Sequence, residues 1–382
     1  MKVNYRGKSR YIKGYANIED FLSCFYISCY SYYLLHNNQI VPNDCLLDEY
    51  EEVTLIPIRI TKLIDDVLGL CSSDEHCNNV SIRTKPLTKC DLCLVNDAIT
   101  YKGTYGGPKR ILKKYFCTAC FINSVEHAVF KAIDANHLIN DGDQVLIPIS
   151  GGKDSIAEAY FIHKYVHMKS ISAQVEAYTV TMFNTDYEYN NVKNAVLFCQ
   201  SNQIKHRIID ISKFMPIHKN YNCYICSSAR RYVEKIFIEE LQANKVSSGK
   251  NYSDKIRHKF FSTLLDTNLE SFAPLSEIPD FCTVISPILN LRDYDTALFL
   301  KCLGIDYGRH YDEECPYADT SYRRMQTTIT EAVNDNFPGL IDHKIQVSAQ
   351  PVTLSAASYS REHPELNHSE MREYILRALN RV

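Results

Sequence analysis

The stretch PISGGKDS, residues 148–155, follows the apolar run Val145 to Ile149 and precedes IAEAYFIHKYV, in which apolar and polar residues recur at helical spacing. A turn of small residues between a buried strand and a helix leaves its backbone N–H groups open to a ligand. The helix that starts there offers its positive dipole end to an anion. Ser150, Gly151, Gly152 and Ser155 supply backbone donors and hydroxyls without bulk, and Lys153 adds a positive charge. Asp154 is placed to cap the helix or to help hold magnesium. The Walker spacing GxxxxGK is absent, which argues against a kinase or motor-type ATPase. The turn therefore predicts a phosphate site of another kind at the end of a strand.

Outward from this turn, strand and helix patterns alternate. SVEHAVFKAIDANHLI predicts an amphipathic helix, DQVLIPIS a buried strand, SIAEAYFIHKYVHM a helix and SAQVEAYTVTMF a strand. NVKNAVLFCQSNQI, KHRIIDI, RRYVEKIFIEELQAN and KVSSG continue the series as helix, strand, helix and strand end. This repetition predicts an α/β fold, a doubly wound parallel sheet whose ligands sit at the carboxyl ends of the strands. The tail from about residue 344 reads as a loop and a short amphipathic helix.

The full chain has 382 residues, 45% of them hydrophobic, enough for two or three units at about 150 residues each. Its start, MKVNYRGKSRYIKGYANIED, has no apolar core of a cleavable leader, and no run approaches the roughly 18 apolar residues of a membrane span. A cytoplasmic protein without a membrane partner is expected. Fifteen cysteines in such a chain point to metal or redox roles rather than to disulfides. A net charge of -3 argues against non-specific coating of nucleic acid.

CDLC and CTAC place Cys90, Cys93, Cys117 and Cys120 in two pairs, each able to clamp one metal from a tight turn, and predict a tetrahedral structural zinc. Between them lie Lys102, Lys109, Arg110, Lys113 and Lys114 with Tyr101, Tyr105 and Tyr115, either an RNA contact or a solvated loop. The first 88 residues carry no recognisable chemistry; FLSCFYISCYSYYLL reads as a buried helix or strand, and Cys24, Cys29, Cys45, Cys71 and Cys77 as small buried thiols. The expected division is 1–88 as an N-terminal domain, 89–121 as a zinc-ribbon module, 122–343 as the nucleotide-binding domain and 344–382 as an extension.

SGGKDS after a strand resembles the PP-loop of ATP pyrophosphatases, adenine nucleotide alpha hydrolase-like proteins that cradle the pyrophosphate of ATP while AMP passes to an acceptor oxygen. NCYICSSARRY, SSGKNYSD, SPILNLRDYDTALFLKCLGIDY and EECPYADTSYRR resemble further segments of the same family. Residues from about 88 to 340 together resemble its iron-sulfur-dependent tRNA thiolation enzymes, the thiouridine and, more distantly, the thiocytidine synthetases. The resemblance implies a 4Fe-4S cluster on Cys223, Cys226 and Cys315, with one iron left open to carry sulfide. The alternatives for these cysteines are another metal, a persulfide and disulfide mechanism, or inert burial. It further implies ATP and Mg2+ as cofactors, Gly249, Asn251 and Asp254 as the matched residues of an SGHNxDD segment, and Arg230 or Arg231 beside an adenylated intermediate.

The implied activity is an ATP-dependent sulfurtransferase that adenylates a nucleobase carbonyl and replaces its oxygen with sulfur. The sequence departs from the family in three places. Lys250 replaces the histidine of SGHNxDD, Ser253 replaces its first aspartate, and no cysteine follows Cys315, so the C-terminal zinc ribbon of the thiouridine synthetases is missing. These departures leave open a free small purine or nucleobase, as in 6-thioguanine-type biosynthesis, beside tRNA as acceptor. A PP-loop amide or lysidine-type ligase and a non-catalytic RNA-binding descendant are the remaining readings. The partners implied are a sulfur donor (sulfide, a cysteine desulfurase or a sulfur-carrier protein) and a second copy of the chain as homodimer.

Overall fold

The computed structural model describes residues 1–12, 15–25, 27, 29–46, 49–58, 88–105, 111–183, 185–215, 223–264, 272–308, 330, 352–353 and 366–379. The N-terminal part builds a five-stranded sheet from β1 (Lys2–Tyr5), β2 (Lys8–Tyr11), β3 (Tyr32–His36), β4 (Gln39–Val41) and β5 (Glu52–Pro57), in the order β2-β1-β5-β3-β4. β1 and β5 pair in parallel at its centre, and the other pairings are antiparallel. One face packs on α1 (Ile18–Ser23) through Val3, Tyr5, Ile18, Phe21, Leu22, Tyr32, Leu34, Val53 and Leu55. On the other face Tyr33, Leu35 and Ile58 enter the main core beside Phe116, Phe121, Phe161 and Phe299. β3 is therefore covered on both faces, which is why YYLL is apolar without alternation. The segment expected as one helix or strand is thus a short helix, a turn and a strand. Of the expected buried thiols, Cys45 is buried and Cys24 is exposed, while Cys71 and Cys77 lie outside the described residues.

A hairpin, β6 (Thr100–Tyr105) with β7 (Ile111–Phe116), follows and leads directly into α2 (Thr118–Ala135). Lys113 of the hairpin pairs with Glu19 at 3.1 Å and Asp44 at 2.9 Å on the N-terminal unit, and Tyr115 donates to Asp44 at 2.7 Å.

The main sheet contains β8 (Gln144–Pro148), β9 (Gln174–Thr181), β10 (Lys205–Asp210), β11 (Lys245–Ser247), β12 (Leu275–Ile278), β13 (Cys282–Ile285) and β14 (Val352–Thr353), in the order β10-β9-β8-β11-β13-β12-β14. Its first five members in that order are parallel, as expected from the alternating pattern. β12 runs antiparallel to β13, a hairpin that the sequence reading does not anticipate because its strands are only four residues long.

The helices α3 (Lys153–Lys169), α4 (Asp186–Ser201), α5 (Cys223–Leu241), α6 (Tyr252–Leu264), α7 (Asp293–Cys302) and α8 (His368–Leu379) pack around the sheet. The helix expected from Arg230 begins already at Cys223. The C-terminal helix expected in the tail is present, and its Met371, Ile375 and Leu379 join a core with Val233, Ile236 and Phe237 of α5. The chain leaves β8 toward β9 and β10, then returns to the other side of β8 as β11. The loops after β8 and β11 thus meet at the topological switch point, where open α/β sheets bind ligands.

Candidate nucleotide site

The SGGKDS turn sits at this switch point. Ser150 N donates to Ser155 Oγ at 3.1 Å, and Ser155 Oγ donates back to Gly152 O at 3.0 Å, so the two serines brace the turn before α3. Gly151 has φ +80°, and a Cβ there would run into the carbonyl of Asn191 on α4. Gly308 N donates to Gly151 O at 2.7 Å. The turn is packed closely against Asn191, and only a residue without a side chain fits at position 151. Such a cradle suits a pyrophosphate at the N-terminus of α3.

Lys153 is only 5% exposed and pairs with Asp154 at 2.6 Å and, more closely, with Asp293 at the start of α7. Thr296 donates to the second oxygen of Asp154 at 2.9 Å, and Asn251 donates to Asp293 at 3.0 Å. The sequence-matched Lys153, Asp154 and Asn251 are thereby brought together: Asp293 is the shared partner of Lys153 and Asn251, and Lys153 links it to Asp154. The ammonium charge of Lys153 is balanced inside the protein by two carboxylates.

The SSGKN loop after β11 forms the other lip. Asn251 is fully buried; its side-chain oxygen accepts from Asp254 N at 3.0 Å and so starts α6. Asp254 lines the cleft and is paired with Arg257 one turn on. Gly249, at φ +61°, donates its N–H to Glu158 at 2.8 Å. Glu158 lies on α3 and is completely buried; burial, aided by the nearby Asp154, raises its carboxyl to about 7. Sequence reading missed Glu158, whose only signal is a carboxylate in the apolar run IAEAYF.

The turn and the SSGKN loop face a cleft of about 1490 Å³ that also takes in Thr179 and Val180 at the end of β9 and Phe183 after it, Ser227, Arg230 and Arg231 of α5, and Lys250, His258, Phe261 and Phe272. Its outer wall comes from the N-terminal sheet, with Arg6, Tyr33 and residues 54–58. No pattern in the first 88 residues announces this role. Of the three expected cluster ligands, Cys226 is buried in the first turn of α5, Cys223 opens that helix one turn earlier with its side chain outside the described residues, and Cys315 lies outside them altogether.

Cys90, Cys93, Cys117 and Cys120 converge, their sulfurs all within 4.8 Å of one another. Cys90 and Cys117 are buried, and Asn96 donates to the Cys117 sulfur at 3.8 Å. Burial pushes the Cys90 thiol up, yet the N–H groups of Cys93, Cys117 and Leu92 outweigh it and bring it down to about 6. The neighbouring Cys117 pushes Cys120 up to about 12. Four thiolates so close repel one another unless a cation lies between them, and the set fits a tetrahedral metal.

Two cations of the intervening loop are engaged within the fold. Lys113 is ion-paired as above and lies 4.0 Å from the Tyr101 ring centre, and Lys102 lies 3.6 Å from Asp295. Lys109 and Arg110 fall outside the described residues.

No family model matches the chain. It is 22% identical over 237 residues to the tRNA-5-methyluridine(54) 2-sulfurtransferase of Pyrococcus horikoshii, covering 59% of this chain and 73% of that one. It is 25% identical over 217 residues to the tRNA-cytidine(32) 2-sulfurtransferase of Dechloromonas aromatica, covering 55% and 73%. Among solved structures, the U34-tRNA thiolase NcsA from Methanococcus maripaludis with its 4Fe-4S cluster matches with a TM-score of 0.51 and 20% identity over 70% of this chain and 82% of that one. The strand order around the glycine turn and these relatives agree on one resemblance: the chain is similar to the PP-loop ATP pyrophosphatases and, among them, to the tRNA thiolation enzymes.

Proposed function

We propose that this protein is an ATP-dependent tRNA sulfurtransferase. The observation that carries the reading is a single cleft shared by the SGGKDS turn, the SSGKN loop and α5, the helix that opens at the Cys223–Cys226 pair. ATP binds with its pyrophosphate on residues 150–155, held by the backbone of the turn and the dipole of α3. Asp154 and Asp254, both lining the cleft, would hold Mg2+.

A carbonyl oxygen of the acceptor base attacks the α-phosphorus of ATP; a new P–O bond forms, the bond to pyrophosphate breaks, and pyrophosphate leaves. Arg230 and Arg231, on the cleft face of α5, offset the charge of the adenylated base. Sulfur then forms a bond to that carbon, and AMP departs with the original oxygen. Cys223, Cys226 and Cys315 would hold a 4Fe-4S cluster, which when bound supplies the sulfur atom. A separate donor, sulfide or a carrier of activated sulfur, must replace it after each turnover. Cys90, Cys93, Cys117 and Cys120 hold a structural zinc in a ribbon-like module, and the N-terminal sheet is an added domain that walls the cleft. The names of the relatives favour tRNA over a free purine as acceptor.

The test is anaerobic assay of cluster-reconstituted protein with ATP, sulfide and either unmodified tRNA or free nucleobases and nucleotides. Release of AMP stimulated by tRNA, with a thiolated nucleoside after digestion, is expected. Cys315→Ala should abolish thiolation, and full thiolation by that variant would refute the cluster assignment. AMP release only with small bases would move the acceptor to that class.

A further inference from the structure

The cleft is larger than the roughly 300–1,000 Å³ taken by one small ligand, so ATP leaves part of it for a second molecule. Its two flanks differ in chemistry. On the β9 side lie Val180 and Phe183, and on the α6 side lie Lys250, His258, Phe261 and Phe272.

The α6 flank is built by helical spacing. Asp254, Arg257, His258 and Phe261 occupy positions i, i+3, i+4 and i+7, one face of the helix, and all four line the cleft. At about 1.5 Å per residue, Phe261 lies about 10 Å along the axis from Asp254. This face runs from the carboxylate beside the SSGKN loop out to an aromatic ring. Phe272, arriving before β12, closes on the same flank: its ring centre is 4.7 Å from that of His258, tilted by 57°, and 4.9 Å from the Lys250 ammonium. All four residues are half-buried and line the cleft, so rings and a cation form part of its surface. Aromatic rings held at the wall of the cleft beside a cation serve a ligand with a flat face, and a nucleobase has one whatever its sequence. The cation over Phe272 suits the carbonyl oxygens or the phosphate of that nucleotide.

We propose that Lys250, His258, Phe261 and Phe272 form the subsite on which the acceptor nucleobase stacks, while the adenine of ATP takes the opposite flank, against Val180 and Phe183. This rests on the tRNA reading above in so far as the base belongs to a nucleotide turned out of its stack into the cleft. Lys250, the residue that departs from the SGHNxDD pattern, becomes part of how this chain holds its acceptor.

The chain contains no tryptophan, so Phe261→Trp and Phe272→Trp each introduce one indole at the subsite. Titration of each variant with uridine and cytidine 5′-monophosphates and with unmodified tRNA should quench its fluorescence. Ribose 5-phosphate should not, and quenching should persist with ATP saturating. Phe261→Ala and Phe272→Ala should raise KM for tRNA about 5- to 150-fold, the equivalent of about 1–3 kcal/mol of stacking, and leave KM for ATP unchanged. Phe→Tyr at either position should restore KM, which a merely structural defect would not predict.

Quenching by ATP alone, or unchanged KM for tRNA in both alanine variants of a protein that thiolates tRNA, overturns the subsite. Quenching by the monophosphates in a protein that never thiolates tRNA supports the subsite and overturns the tRNA reading instead.

Discussion

Glu158 shows how one side chain can tie two binding loops together. It sits a turn beyond Asp154 on α3 and accepts the N–H of Gly249, so the lip after β11 is hung from the helix that follows the glycine turn. Because burial raises its carboxyl from 4.5 to about 7, the folded protein holds the proton more tightly than the unfolded chain. The stability this confers is fully present below about pH 4.5 and is lost as pH rises to about 7. At about 1.4 kcal/mol per unit the loss is of the order of 3 kcal/mol. Glu158→Gln keeps an acceptor for Gly249 and removes the titration. Urea denaturation across this range should show the wild type losing stability relative to the variant as pH rises, and parallel curves would contradict the assignment.

Among the elements, the hairpin of β6 and β7 does most to join the parts. Its base holds the four converging thiols, and its strands reach both neighbours. Thr100 and Tyr294 of α7 share a hydrogen bond of 2.7 Å, and Gly103 N donates to the Tyr30 hydroxyl of the N-terminal unit at 3.4 Å. If the thiols hold zinc, purified protein should contain one zinc per chain. Cys93→Ser should lose it and lower Tm, since a site that does not exist in the unfolded chain adds its binding energy to folding. Elemental analysis and a melting curve check this; full Tm without zinc would show that the hairpin is held by its packing alone. Among the basic residues of this hairpin, Lys113 pairs with the N-terminal unit and Lys102 with Asp295 of α7, contacts that a charge run in the sequence does not announce.

At the scale of the whole molecule, the cleft is complete only because the N-terminal sheet is docked. The docking combines the apolar contact of Tyr33, Leu35 and Ile58 with the pairing of Lys113 to Glu19 and Asp44. Lys113 is 28% exposed in its side chain and Asp44 15%, between the exposed pairs worth up to about 1 kcal/mol and the buried pairs whose breakage costs about 3–5. Lys113→Ala should therefore destabilise the protein by about 1–3 kcal/mol, and a double-mutant cycle with Asp44→Ala should show strong coupling. Additive effects would mean that the sheet is held by its apolar face alone.

The sequence by itself determined what is local. The strand, glycine turn and helix at 144–169, the parallel alternation to β11, the two CxxC pairs and the amphipathic helix of the tail follow from spacing and residue type, because each needs only neighbours along the chain. Tertiary structure alone decided what depends on distant partners. Lys153 meets Asp293 across 140 residues, Glu158 meets Gly249 across 91, and the two faces of YYLL are assigned to different cores. The hairpin of β12 and β13 carries no periodic signal, since four-residue strands are too brief to show one, and nothing local in the first 58 residues says that they wall a cleft. A loop edge becomes a wall only when another unit is packed beside it.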